Sequence, residues 1–443
     1  MIDIAISPEV VTIFMFGALL LGVITGFPLA LPIGGVGVIT GYLLFGPNAF
    51  DIVYSRVYAI LTNYGMMAVP LFVFMGNMLE KSGIAEKMYD ALYVWFGKFR
   101  GGLAIVSVLI GTIMAACVGI IAASITMLTL VALPSMIRRG YDKSLATGSI
   151  CAGGSLGILI PPSIMLIVYG PAAGISVGKL FMGAFMPGFL LSGLYMLYIG
   201  IRSYFQPKIA PASIEDENLS FGKKTSMLLV SIGPVAILIF SVMGSIYFGL
   251  ASPSEAAAVG AAAATILTIA YGHFTWKVLK DVTLGTIKLT GMVLLIAGCS
   301  TAFVSVFLSA GGGDVVANLI LSVPGGRWMA FALIMLIAFI LGMFIDWIGI
   351  IFILVPILAP IVPKLGFNPL WFAMMIIVNL QMSFLTPPFA YSIFFLKGAA
   401  APELGIDTTD IIRGVIPFIA LITIGLLLMI AFPQIVLWLP STM

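Results

Sequence analysis

Long apolar runs separated by short polar links follow one another along the chain, at about 10–28, 30–46, 57–79, 102–136, 144–170, 180–203, 225–249, 253–273, 289–309, 327–363, 369–397 and 411–439. Most have the length of one bilayer crossing, because about 20 residues at 1.5 Å each traverse a hydrocarbon core of about 30 Å. The pattern predicts an all-α polytopic membrane protein. The runs 102–136 and 327–363 do not fit one crossing. As continuous helices they would exceed about 50 Å, too long even for a tilted span. Each is read as a re-entrant helical hairpin turning near the midplane, at Val118-Gly119-Ile120 in the first and Ile345-Asp346-Trp347 in the second. A turn at that depth must be buried in protein or line a wet cavity, since hydrocarbon offers its backbone no partners.

Two other runs are broken by adjacent prolines, Pro161-Pro162 and Pro387-Pro388, 226 residues apart. Proline lacks a backbone N–H and clashes with the preceding turn. Each run therefore predicts a discontinuous helix, with the carbonyls of Gly157 and Ile158 left without helical partners before the first break and new half-helices starting at Ser163 and Phe389. The same shift carries Pro134 onto Pro360, Arg138 onto Lys364, Gly140 onto Gly366 and the first hairpin turn onto the second. Glycine, proline and basic positions in register with hydropathy indicate internal duplication. Each half reads as spans, a surface arm, a hairpin and a broken helix.

Lys81, Lys87, Lys98 and Arg100 precede the first hairpin, and Arg138, Arg139 and Lys143 follow it, so its mouth is predicted to be cytoplasmic. The polar loop 202–224, with Arg202, Lys208, Lys223 and Lys224, falls on the same side. Counting spans onward puts the second hairpin on the opposite side. Opposed hairpins are the mark of an inverted repeat, and paired broken helices near the midplane are a usual construction of a secondary transporter's binding site.

Composition agrees: 61% of residues are hydrophobic and 8% charged, against roughly 25% charged in soluble domains. The mean hydropathy is +1.21. A net charge of +3 spread over short loops gives no reason to expect nucleic acid as a partner. The start has acids and no basic stretch, so no cleaved signal peptide is expected and the first segment should remain as a span. Cys117, Cys151 and Cys299 lack paired spacing and read as small packing residues. One histidine, His273, leaves no His-rich metal site, and without a His-Glu-x-x-His or a Ser/His pair an intramembrane enzyme is disfavoured.

Asp346 stands alone among charges within a hydrophobic run. A carboxylate at that depth costs about 2.5 to 3.5 kcal/mol on insertion scales unless something pairs with it. Two roles fit it, an N-cap of the following half-helix and a ligand for a monovalent cation, for which Na+ suits one carboxylate among carbonyls. Both roles are compatible at one turn. Polar groups near the breaks are few: Ser155 and Ser163 in the first half, Asn379, Gln381, Ser383 and Thr386 in the second. They are candidate ligands for a small carboxylate or cations, or simply interhelical hydrogen-bonding groups. With no arginine deep in either broken helix, an anion would be held by helix dipoles, hydroxyls and co-bound cations. Ser252-Pro253-Ser254-Glu255 is a helix-starting capping box.

At this point the residues resemble the large membrane subunit of tripartite ATP-independent periplasmic (TRAP) transporters. The resemblance rests on Val69-Pro70-Leu71-Phe72 with Gly76-Asn77, Arg139-Gly140-Tyr141-Asp142, Gly154-Ser155-Leu156-Gly157 through Pro161-Pro162-Ser163-Ile164, Ser252 to Ala257, and Leu385-Thr386-Pro387-Pro388. It implies an elevator-type, Na+-coupled importer of organic acids in a bacterial inner membrane, working with a small four-span membrane subunit and a periplasmic solute-binding protein. It also implies Na+ sites at hairpin tips and breaks: here Gly119 and Ala122 with Gly157 and Ile160, and Asp346 and Gly349 with Ser383 and Thr386. Ser155, Ser163, Asn379, Gln381 and Thr386 remain the substrate-binding candidates. The resulting division is 1–79 scaffold spans, 80–101 an amphipathic arm, 102–179 the first transport half, 180–309 scaffold spans, 310–326 a second arm, 327–398 the second transport half and 399–443 a C-terminal span. One departure is the first tip, Cys117-Val118-Gly119-Ile120-Ile121-Ala122-Ala123-Ser124, where many relatives are serine-rich. The tip, with Leu133-Pro134 and Tyr141-Asp142-Lys143 after it, resembles the branch associated with 2-oxo acids, lactate and related small carboxylates more than the sialic-acid branch. A stand-alone Na+/dicarboxylate or anion carrier of similar two-hairpin architecture is the alternative.

Overall fold

The computed structural model describes residues 7–119, 121–212 and 220–443. The first six residues, the tip residue Ile120 and part of the 202–224 loop, at 213–219, lie outside the described residues. Among the described residues every regular element is a helix. Seven helices are long and apolar enough to cross a membrane, or up to eight with one bent pair counted as a span. Large apolar side chains such as Ile237, Phe240 and Leu229 stand exposed on them, as lipid-facing surfaces require.

Both hairpins form. In the first, Gly102–Val118 and Ile121–Arg138 converge on two consecutive glycines of the next helix. A Cβ at Gly153 would lie 3.1 Å from Val108 Cα, and one at Gly154 3.2 Å from Ile125 Cα. A straight helix would hold residues 108 and 125 about 25 Å apart. In the second, Gly326–Phe344 and Trp347–Leu358 both return to Phe372. Its ring sits 5.8 Å from that of Phe331 and shares a cleft with Val355 and Leu358.

Each broken helix starts at a capped turn. Asp142 accepts from Leu145 N at 3.0 Å ahead of Lys143–Ser155, and Asn368 accepts from Leu370 N at 2.9 Å ahead of Pro369–Ser383. After the breaks the helices resume as Ile164–Ala173 and Tyr391–Ala399. The second resumes two residues later than the prolines suggest, because Ala390 adopts a left-handed φ of 35°. The predicted Ser252 capping box is present, with Ser252 N donating to Glu255 Oε2 at 2.7 Å.

Three segments differ from the hydropathy reading. The run 57–79 is two helices, Asn48–Leu61 and Ala68–Lys81, with a 3-10 turn between and a bend of 51°. Asn63 accepts from Gly65 N there and starts the chain in a new direction. Its counterpart, Trp276–Ser309, is one unbroken helix of 34 residues beginning well before the apolar run at 289. The last run, 411–439, is a long helix over Thr408–Ala431 that ends just before Pro433, followed by one short turn of helix, Gln434–Leu437.

Packing sorts the helices into two groups. Val177–Phe205 and Thr408–Ala431 lie against the broken helices, and Val177–Phe205 also lies against the first hairpin. Gly148 and Gly414 permit the closest crossing, since a Cβ on either would collide with backbone of the other helix. The second group joins Ala30–Phe45, Asn48–Leu61, Ala68–Lys81 and Pro253–Ala270 to Trp276–Ser309, directly or through a neighbour. The groups meet chiefly where Trp276–Ser309 crosses Trp347–Leu358 and where Ala68–Lys81 crosses Gly102–Val118.

Candidate functional site

Within each repeat the hairpin tip meets the break. Gly119, at φ 62°, brings its Cα so close that a Cβ there would lie 3.1 Å from Pro162 O. Phe344 meets Phe389 with ring centroids 6.1 Å apart. Both Pro-Pro bonds are cis. One cavity of about 430 Å³ collects these four features. Gly119, Ile121 and Ala122 come from the first tip, Asp346, Trp347 and Ile348 from the second. Ile158 and Ile164 represent the first break, Phe384, Tyr391 and Phe395 the second. Leu289, Met292, Val293 and Ile296 of Trp276–Ser309 close the far wall.

Among the described residues, Asp346 is the single charged side chain lining this cavity. It is the N-cap of Trp347–Leu358, with Oδ2 accepting from Ile348 N at 3.3 Å. Among the described residues no basic group forms an ion pair with it. Its remaining lone pairs are available to the cavity. The first residues of the two resumed half-helices, Ile164 and Tyr391, also line the cavity, so two helix N-termini open on it. Such ends carry partial positive charge and free N–H groups, which favour an anion.

The carbonyls freed by the prolines mostly find donors inside the chain. Ser163 Oγ donates to Ile158 O, and the repeat-equivalent Phe384 O accepts from Ser392 N at 3.3 Å. Ser383 O accepts from Thr386 N at 3.0 Å. Ile158 O, expected to lose its helical partner, is met instead by the Ser163 hydroxyl folding back across the break.

Of the cation candidates, Gly119, Ala122 and Asp346 line the cavity, whereas Gly157, Ile160, Gly349, Ser383 and Thr386 do not. Ile160 packs on Gly188, Gly349 on Leu29. Ser383 Oγ donates to Phe339 O at 3.1 Å and Thr386 Oγ1 to Met382 O at 2.9 Å. None of the substrate candidates lines the cavity. Asn379 Nδ2 donates to Met335 O at 2.8 Å, clamping the second broken helix to its hairpin. Gln381 Nε2 donates to Ser155 Oγ at 3.2 Å and Tyr195 OH at 3.5 Å. Phe395 and the wall from Trp276–Ser309 were not signalled by the sequence, whereas Trp347 lies in the predicted second turn. Tyr391 had a cue, its hydroxyl three residues after the second proline pair.

Residues 13–435 match the family described as Tripartite ATP-independent periplasmic transporter, DctM component. The chain is 30% identical over 402 residues to the C4-dicarboxylate TRAP transporter large permease protein DctM of Pseudomonas aeruginosa, covering 90% of this chain and 91% of the relative. It is 28% identical to the 2,3-diketo-L-gulonate TRAP transporter large permease protein YiaN of Escherichia coli, covering 96% and 98%. The fold is similar to the Alcanivorax borkumensis YdaH transporter, with a TM-score of 0.63 at 17% identity over 96% of this chain and 99% of that one. The match across nearly the whole length, joined to the multi-pass helical fold, means that the chain belongs to the large membrane subunits of TRAP transporters, multi-pass proteins of the bacterial inner membrane.

Proposed function

We propose that this subunit imports a small organic acid together with Na+, receiving the acid from a periplasmic solute-binding protein and working beside a small four-span membrane subunit. The observation that carries the reading is the cavity where both hairpin tips and both breaks converge around Asp346. A lone carboxylate without a basic partner fits a monovalent cation, which would balance its charge. Asp346, with Gly119 and Ala122 nearby, is the best-placed cation candidate; Gly157, Ile160, Ser383 and Thr386 would contribute through backbone at the breaks and Gly349 through backbone near the second hairpin tip. A bound cation and the two half-helix N-termini at Ile164 and Tyr391 together favour a carboxylate substrate in an otherwise apolar pocket. Relatives are named for C4-dicarboxylates and 2,3-diketo-L-gulonate, which supports an organic acid; the first tip favours a small one such as a 2-oxo acid or lactate.

An elevator movement fits the packing. The two hairpins and broken helices, with Val177–Phe205 and Thr408–Ala431 packed on them, would form the moving body. Where Trp276–Ser309 faces this body across the cavity, its wall is Leu289, Met292, Val293 and Ile296, all apolar. Such a surface opposes sliding with few hydrogen bonds to break.

The test is uptake in proteoliposomes holding the large and small membrane subunits, with and without a Na+ gradient and with and without the cognate binding protein. Saturable uptake that needs both supports the reading. Uptake indifferent to Na+ removes the coupling, and uptake indifferent to the binding protein favours a stand-alone carrier.

A further inference from the structure

The contact between Gln381 and Ser155 is unusual in kind. Ser155 maps onto Gln381 under the repeat shift, so the two bonded residues, 226 apart, are each other's equivalents. A bond between equivalent positions places them on the axis that relates the halves. Ser155 ends the first broken helix's leading segment, directly before the 3-10 turn Leu156–Ile158. Gln381 lies two residues before the end of Pro369–Ser383. Both are fully buried. The bond thus ties the backbone just ahead of one break to the backbone just ahead of the other.

The pair is also incompletely satisfied. Ser155 Oγ donates to Ala152 O at 2.8 Å, and Gln381 Nε2 supplies the donor to Ser155. Gln381 Oε1 is buried with no hydrogen-bond partner. A buried amide oxygen left without a donor makes its current arrangement costly, so a small shift of either segment that supplies one, such as a turned Tyr195 hydroxyl, is favoured. The two ends of the network belong to different halves of the chain.

We propose that Gln381 and Ser155 form a clasp that couples the two breaks, so that cation binding at one repeat prepares the other and Na+ binds cooperatively. The inference rests on the Na+ reading above. Gln381 acts here as a positioning residue, because neither it nor Ser155 lines the cavity. Coupling of this kind needs a contiguous element that both sites bias, and the clasp is a direct side-chain bond between the two broken helices.

The experiment measures Na+ dependence in two ways, uptake in proteoliposomes and thermal stabilisation of the purified membrane subunits by Na+. The second reads variants whose transport has been lost. Wild type is expected to show a Hill coefficient above one in both. Gln381→Met keeps the volume and removes the bond; Ser155→Ala removes the acceptor. Each is expected to bring the Hill coefficient to one and raise half-saturating Na+ about fivefold. The double variant is expected to lose no more than either single one. A merely structural role would lower the melting temperature and leave the Hill coefficient in place, which overturns the clasp, as does a wild-type coefficient of one. A wild type indifferent to Na+ in both assays sinks the Na+ reading itself.

Discussion

Gln381 Nε2 donates to Ser155 Oγ across 3.2 Å, and the two residues stand in the same register that relates the proline pairs. The two halves therefore touch at equivalent points, while the chemistry around those points differs. The first break, Pro161-Pro162, is buried; the second, Pro387-Pro388, is exposed. Asp346 sits at the second tip, and its equivalent, Ile120, is an apolar residue. The two hairpin tips thus differ in charge although they stand in one sequence register.

That asymmetry makes Asp346 the first test. Asp346→Asn preserves the capping acceptor for Ile348 N and removes the charge. Na+-dependent uptake is expected to fall by at least about 100-fold, the upper range for losing support of a bound ion, with the melting temperature nearly unchanged. If the variant takes up substrate normally with Na+, Asp346 is only a cap.

The two hairpin-and-break segments were legible because glycines, prolines and basic residues recur in register along the sequence, and these residue types have few structural substitutes. The hairpins followed from length alone. The bend at Thr62-Asn63 was not legible, since nothing in the hydropathy of 57–79 falls there by enough to end a span. The roles of Asn379 and Ser383 were hidden for another reason. An amide or hydroxyl in an apolar helix looks the same whether it faces a ligand or, as here, the carbonyls of Met335 and Phe339 on the neighbouring hairpin. The cavity-facing residues Leu289, Met292, Val293 and Ile296 are all apolar, so nothing in them marks a site.

Asn379 offers a direct way to separate these roles. Asn379→Leu is expected to cost about 1 kcal/mol, the usual worth of one hydrogen bond, read as a lowered melting temperature in detergent. The substrate KM is expected to stay put. A KM raised severalfold without loss of stability would return Asn379 to the substrate site.

Gly119 tests the contact between tip and break. Its φ of 62° costs an L-residue roughly 1–2 kcal/mol, and a Cβ would press on Pro162 O. Gly119→Ala is expected to move the tip off the break and lower uptake about tenfold at limiting Na+. Stability measured by thermal unfolding should drop by no more than the backbone cost. Unchanged Na+ affinity would show that the tip's position does not matter to the cation.

Tyr141 holds the entrance of the first hairpin outside the membrane-spanning helices. Its hydroxyl accepts from Leu103 N at 3.3 Å, and burial pushes its pKa from 10.0 up to about 12. A raised value means that the neutral phenol is favoured in the folded protein, so its contribution to stability is complete below pH 10 and is lost as the pH climbs towards 12. Tyr141→Phe removes this titration and the acceptor together. The variant is expected to be less stable than wild type at pH 8 by about 1 kcal/mol and to show a shallower loss of stability between pH 10 and 12. Equal slopes for the two proteins would mean that Tyr141 does not carry the alkaline transition, and the burial of Tyr89, also pushed up to about 12 beside it, would be left as the cause.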